Sequence, residues 1–132
     1  MMGLGYKGDT GHYHTIGENV GALRDKFTFS ESTGYFGVRG KSGQGNIRNI
    51  VSDDPAKAAK AFYDIAGHGG IEEPLANGKG FRVSMKDGSI ITYREVSSSD
   101  GSPAVDIHIT SSSDDTGGVR TQKIHFVRKK ED

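Results

Sequence analysis

The sequence predicts an α+β domain, with a helix packed on a four-stranded antiparallel sheet behind a partly helical, partly irregular N-terminal region. Three observations carry this expectation. Val105-Asp106-Ile107-His108-Ile109-Thr110 and Lys123-Ile124-His125-Phe126-Val127 alternate apolar with polar residues, the period of a half-buried strand. Asp87-Gly88 joins two further alternating runs as a hairpin turn. Ser52-Asp53-Asp54-Pro55 opens an alanine-rich run in the manner of a capped helix.

Taken in order, residues 1–45 mix glycine with scattered aromatics and show no sustained period, so they read as a loosely packed arm of the same domain. A short helix is expected around Val20 to Lys26, and a strand or hairpin from Tyr35 to Arg39. Little of the chemistry is expected from this arm. Residues 46–132 form the principal unit. Asp53 or Asp54 can accept hydrogen bonds from the first turn of the next helix, and Pro55 suits a first turn because its missing N–H is not needed there. The helix then runs from Ala56 to Ala66 with Phe62 and Ile65 on an apolar stripe, and Gly67 ends it. Four strands follow without an intervening helix: Gly80 to Lys86, Ser89 to Val96, 103–110 and 119–127. Consecutive strands of this kind favour an antiparallel meander covered by helices on one face. Ser97 to Ser102 and Ser111 to Asp115 read as loops, and the charged tail from Arg128 to Asp132 as a solvated end.

A chain of 132 residues and 14.1 kDa has the size of one domain. Its 17 basic and 17 acidic residues balance, so no global positive field draws in nucleic acid, and any such binding needs a local patch. There is no cysteine, hence no disulfide, thiolate nucleophile or Cys-ligated zinc. No stretch approaches the ~20 apolar residues of a membrane span, and the start lacks the order of a signal peptide. Met1-Met2-Gly3, leading straight into glycine-rich sequence, reads as a start inside a longer polypeptide whose other parts would direct export.

The alternating runs place Val105, Ile107, Ile109, Ile124 and Phe126 toward a core, and Asp106, His108, Lys123 and His125 on the opposite face. Two histidines, a carboxylate and an ammonium group on one open face offer a general acid, a general base and an anion stabiliser, the set needed to cleave a phosphodiester through a neighbouring ribose hydroxyl without a metal. Arg94 can hold a phosphate by two parallel hydrogen bonds, the plain alternative being a cross-strand salt bridge. The buried face of Ile90 to Val96 stays open at this level: either Thr92 and Arg94, or Tyr93 and Glu95, accompany the histidines. Lys79, Arg82 and Ser98 are candidate substrate contacts. His12-Tyr13-His14 has the spacing of a strand metal pair but no third ligand nearby. Gly67-His68-Gly69-Gly70 lacks the Lys-Ser/Thr of a phosphate loop, so His68 reads as a cation at a helix C-terminus.

The motif order Arg48-Asn49-Ile50-Val51-Ser52-Asp53-Asp54-Pro55, Gly78-Lys79-Gly80-Phe81, Thr92-Tyr93-Arg94-Glu95-Val96-Ser97-Ser98-Ser99-Asp100-Gly101-Ser102-Pro103-Ala104-Val105 and Gln122-Lys123-Ile124-His125-Phe126 resembles the C-terminal toxin domains of bacterial polymorphic toxins, including the tips of CdiA contact-dependent growth inhibition proteins. The resemblance covers roughly residues 46 to 127. It implies the architecture of the barnase, EndoU, colicin E5/D and RelE (BECR) ribonucleases, whose sheet face cleaves RNA without a metal and in some members cuts tRNA. It further implies a cognate immunity protein, a host activating factor such as EF-Tu, and delivery from a secreted or cell-surface protein into a target-cell cytoplasm. No cofactor is expected. The resemblance supports His125 and the strand from Thr92 to Glu95, while His108 rests on the shared face; together they give a site with His125 as acid or base, His108 or Glu95 opposite, Arg94 and Lys123 stabilising the phosphorane-like charge, and Thr92 beside them. Two rivals remain: an ADP-ribosyltransferase toxin, which wants a Glu-x-Glu that this chain lacks, and a non-catalytic recognition or immunity-type module.

Overall fold

A computed structural model describes residues 5–6, 16–40, 45–76, 78–96, 102–110 and 119–128. The fold is α+β. Two helices, α1 (Ile16–Lys26) and α2 (Pro55–Ala66), lie on a mixed eight-stranded sheet. Its strands are β1 (Gly5–Tyr6), β2 (Val38–Arg39), β3 (Ile47–Val51), β4 (Ile71–Pro74), β5 (Gly80–Ser84), β6 (Ile90–Arg94), β7 (Ala104–His108) and β8 (Thr121–Val127), in the spatial order β1-β4-β5-β6-β7-β8-β3-β2. The expected four-strand meander is β5 to β8, and it is antiparallel throughout. It is half of the sheet rather than the whole of it.

The local reasons are those the residues announce. Asp54 caps α2, its Oδ1 accepting from the Lys57 N–H at 3.2 Å, and Pro55 takes the first turn. The β5–β6 hairpin is one residue longer than expected. Met85 N–H donates to the Ser89 carbonyl, so Lys86, Asp87 and Gly88 make a three-residue turn, with Gly88 at φ 92° supplying its left-handed position. Gly67 and Gly70 are packing glycines: a Cβ at either would run into the Val83 side chain, which is why the turn after α2 lies flat on β5.

Residues 16–40 depart from expectation. They are not a loose arm. Val20, Leu23 and Phe36 are fully buried. Phe36, Phe62 and Phe126 stack edge to face at centroid distances of 5.2 and 5.5 Å, and Phe27 and Phe29 extend the cluster. Asn19 Nδ2 donates to the carbonyls of Ala66 and His68, tying α1 to the end of α2. The sheet itself holds the next segment: Gln122 Oε1 accepts from Phe36 N–H at 2.9 Å while its Nε2 donates to Gly34 O, and Arg48 donates to the carbonyls of Phe36, Gly37 and Gly45.

α2 carries the chain across the sheet from β3 to the far side, where β4 starts the return through β5, β6 and β7 to β8. β8 then pairs in parallel with β3. The core lies between the helices and the face bearing Ile50, Val83, Ile91, Tyr93, Val105, Ile107, Ile124 and Phe126. The opposite face carries no described helix. No helix among the described residues is long and apolar enough to cross a membrane.

Candidate functional site

Residues paired in register across a sheet point to the same side, so the pairings assign the open face directly. One row runs Glu73, Arg82, Thr92, Asp106, Lys123, Ile47 across β4, β5, β6, β7, β8 and β3. The next runs Gly80, Arg94, Ala104, His125, Asn49, Val38 from β5 to β2. A third holds Ser84, Ile90, His108 and Thr121. Asp106, His108, Lys123 and His125 thus share the open face as their alternation required. Thr92 and Arg94 accompany them, because Ile91 and Tyr93 are committed to the core.

His125 occupies the centre of this face. It is only 3% exposed, although its face was expected to be open to water. The Ser102 hydroxyl lies 2.9 Å from its Nδ1 and fixes the ring plane whichever group donates. Ala104, between Arg94 and His125 in register, lets the two long side chains approach over a small floor; their Cα atoms are two strands, about 10 Å, apart. Arg94 Nε stands 3.4 Å from Asp106 Oδ2. That pairing leaves Lys123, directly opposite Asp106, with no ion pair among the described residues. Lys123 is half-buried and stands two residues from His125 on the same face, its Cα about 7 Å away along the strand.

Three expected catalytic or binding groups stand elsewhere. His108 has the right face but the wrong row: it pairs with Thr121, four residues along β8 from His125, which separates the two by about 13 Å. One phosphodiester cannot bridge that distance, so His108 is not the acid–base partner of His125. Glu95 follows β6 on the side of Tyr93, whose hydroxyl its charge helps to push above the usual tyrosine range after burial itself. It is exposed in the bend just past the end of β6, outside the strand pairings that lead to His125. Lys79 is exposed in the turn before β5, its carbonyl accepting from Glu95 N–H, two strands or more from His125. Arg82 is on the open face but ion-paired with Glu73. Ser98, His12 and His14 lie outside the described residues.

The residues missed from the sequence are Ser102 and Asn49. Ser102 precedes β7 and offered no signal beyond its place in a serine-rich loop. Asn49 enters only because β3 pairs with β8 in parallel, a contact no local pattern announces. No cluster of three or more His, Asp or Glu side chains suited to a metal occurs among the described residues.

His125 held by Ser102, flanked by Arg94 and Lys123, can exchange a proton beside two cations, which suits chemistry at a phosphate. No protein-family model, curated protein or solved structure matches the chain, so this geometry and the sequence motifs are what bear on its role.

Proposed function

We propose that the open sheet face is the site of a metal-independent endoribonuclease, acting on RNA and in particular on tRNA, carried as the toxin domain of a larger delivered protein and restrained by a cognate immunity protein. The observation that supports this reading best is the convergence of Arg94, Lys123 and His125 on two adjacent rows of one face, with Ser102 orienting the imidazole. In this reading His125 takes the proton of a ribose 2′-hydroxyl as the oxygen attacks its own 3′-phosphate. Arg94, exchanging Asp106 for a phosphate oxygen, and Lys123 meet the charge that develops on phosphorus. The 5′-oxygen takes a proton from water as its bond to phosphorus breaks and leaves as a hydroxyl, and a cyclic phosphate remains. DNA, lacking the 2′-hydroxyl, is not cut. The BECR-like architecture, an immunity protein covering this face, and an activating factor such as EF-Tu belong to the same proposal.

The burial of His125 favours a second reading, a recognition module that binds an anionic partner on Arg94 and Lys123 without chemistry. Incubating the purified chain with total RNA in EDTA separates the two. Cleavage that leaves cyclic phosphate ends and is lost in His125→Ala supports the nuclease; RNA left intact with EF-Tu added as well as without it supports the binding module.

A further inference from the structure

The open face is divided. On the β4 to β8 side it bears Glu73, Arg82, Arg94, Asp106 and Lys123; beyond His125 the described strand residues on this face are Ile47, Val51, Val127 and Val38 around one polar side chain, Asn49. Val38 and Val51 are 58% and 55% exposed, among the largest apolar exposures in the described chain. Asn49 stands in register with His125 on one side and Val38 on the other. Its carboxamide makes no hydrogen bond to a described residue, and the neighbouring Gly40 has no side chain to cover Asn49 Oδ1, which an added Cβ would approach to 3.4 Å.

A phosphate would find no described cation on this half of the face. A flat heterocycle fits it better: valine side chains offer apolar contact to the ring, and a carboxamide offers one donor and one acceptor side by side to a polar base edge. Unstacked bases of single-stranded RNA are read along such edges. The position is set by the rows, since a phosphate between Arg94 and Lys123 with its ribose at His125 directs one flanking base across β8 toward β3.

We infer that Asn49, with Val38 and Val51, forms a nucleobase-recognition subsite that selects the base next to the scissile phosphate. This rests on the ribonuclease reading and adds to it a sequence preference that resides in the strands preceding α2. The preference comes from Asn49, and the apolar pair contributes affinity.

Mapping cleavage ends in total RNA for the parent chain, Asn49→Ala and Val38→Ser tests it, with thermal midpoints measured alongside. The parent is expected to enrich one base on one side of its cuts. Asn49→Ala is expected to lose that enrichment and to slow cleavage at the preferred sites by about fivefold to a hundredfold, the range of one well-made base contact, with Tm unchanged. Val38→Ser is expected to raise KM while keeping the preference. Evenly distributed parent cuts, or an Asn49→Ala protein that keeps the parent's preference, would overturn the subsite and leave the nuclease standing. A parent chain that leaves all RNA intact with EF-Tu added as well as without it overturns the nuclease and the subsite together.

Discussion

β5 to β8 and the segment from α1 to β3 border the same core but are held by different kinds of contact. In the meander each strand pairs with its chain neighbour, so alternation, turn residues and pairing all lie within a few residues of one another. Among the described residues the N-terminal segment has no strand longer than two residues before β3, and its decisive contacts are distant: Phe36 N–H reaches Gln122 across 86 residues, and β3 pairs with residues of β8 that lie 76 positions further along the chain. The meander supplies the charged groups of the site, and the distant segment supplies Asn49 and the apolar margin. Regular local patterning therefore marks where a sheet forms, while a glycine-rich stretch without period can still be part of the core.

The largest test of that contrast is Phe36→Ala. If residues 16–40 are integral, removing this fully buried member of the phenylalanine cluster costs about 3 to 5 kcal/mol, as for any large buried aromatic. Chemical denaturation measures it; a loss under about 1 kcal/mol would restore the loose arm.

A pair of neighbours on β8 sharpens the two faces. Ile124→Ala is expected to cost about 2 to 5 kcal/mol, with activity per folded molecule little changed. His125→Ala, which opens the contact with Ser102, is expected to cost about 1 to 3 kcal/mol and to abolish RNA cleavage. Denaturation and cleavage assays on both variants decide it, and a fully active His125→Ala protein would remove the proposed base.

Gln122→Ala leaves the Phe36 N–H and Gly34 C=O buried without their partner, and should cost about 1 to 3 kcal/mol. Hydrogen exchange concentrated at residues 34–36 would locate the loss.

Tyr63, fully buried and donating to Glu72 Oε2 at 2.6 Å, has its hydroxyl pushed far above the tyrosine range, chiefly by burial and then by that bond. The unfolded chain releases this proton near pH ~10 while the folded chain keeps it, so stability is intact below that pH and falls as pH rises above it. Tyr63→Phe should flatten this alkaline decline in thermal midpoint between pH 9 and 11, whatever it does to stability at neutral pH.

The smallest effect is expected at Arg82→Ala. Its ion pair with Glu73 is partly exposed, and such pairs contribute under about 1 kcal/mol. A larger change in Tm would mean that the charged row holds the sheet rather than waiting for substrate.

By itself the sequence determined what depends on neighbours: the Asp54 cap and Pro55 start of α2, the four strands from β5 to β8, and the face shared by Asp106, His108, Lys123 and His125. Side-chain direction follows from period two along a strand, so a face is legible without a partner. Only the tertiary structure decided row and distance. Register placed His108 about 13 Å from His125, while β3 brought Asn49 to His125 in parallel pairing. Alternation gives the side on which a residue stands but not which residue of the next strand stands beside it. Burial of Phe36, and of His125 beneath its own polar face, likewise arises from segments far apart in the chain, whose closure no window of sequence contains.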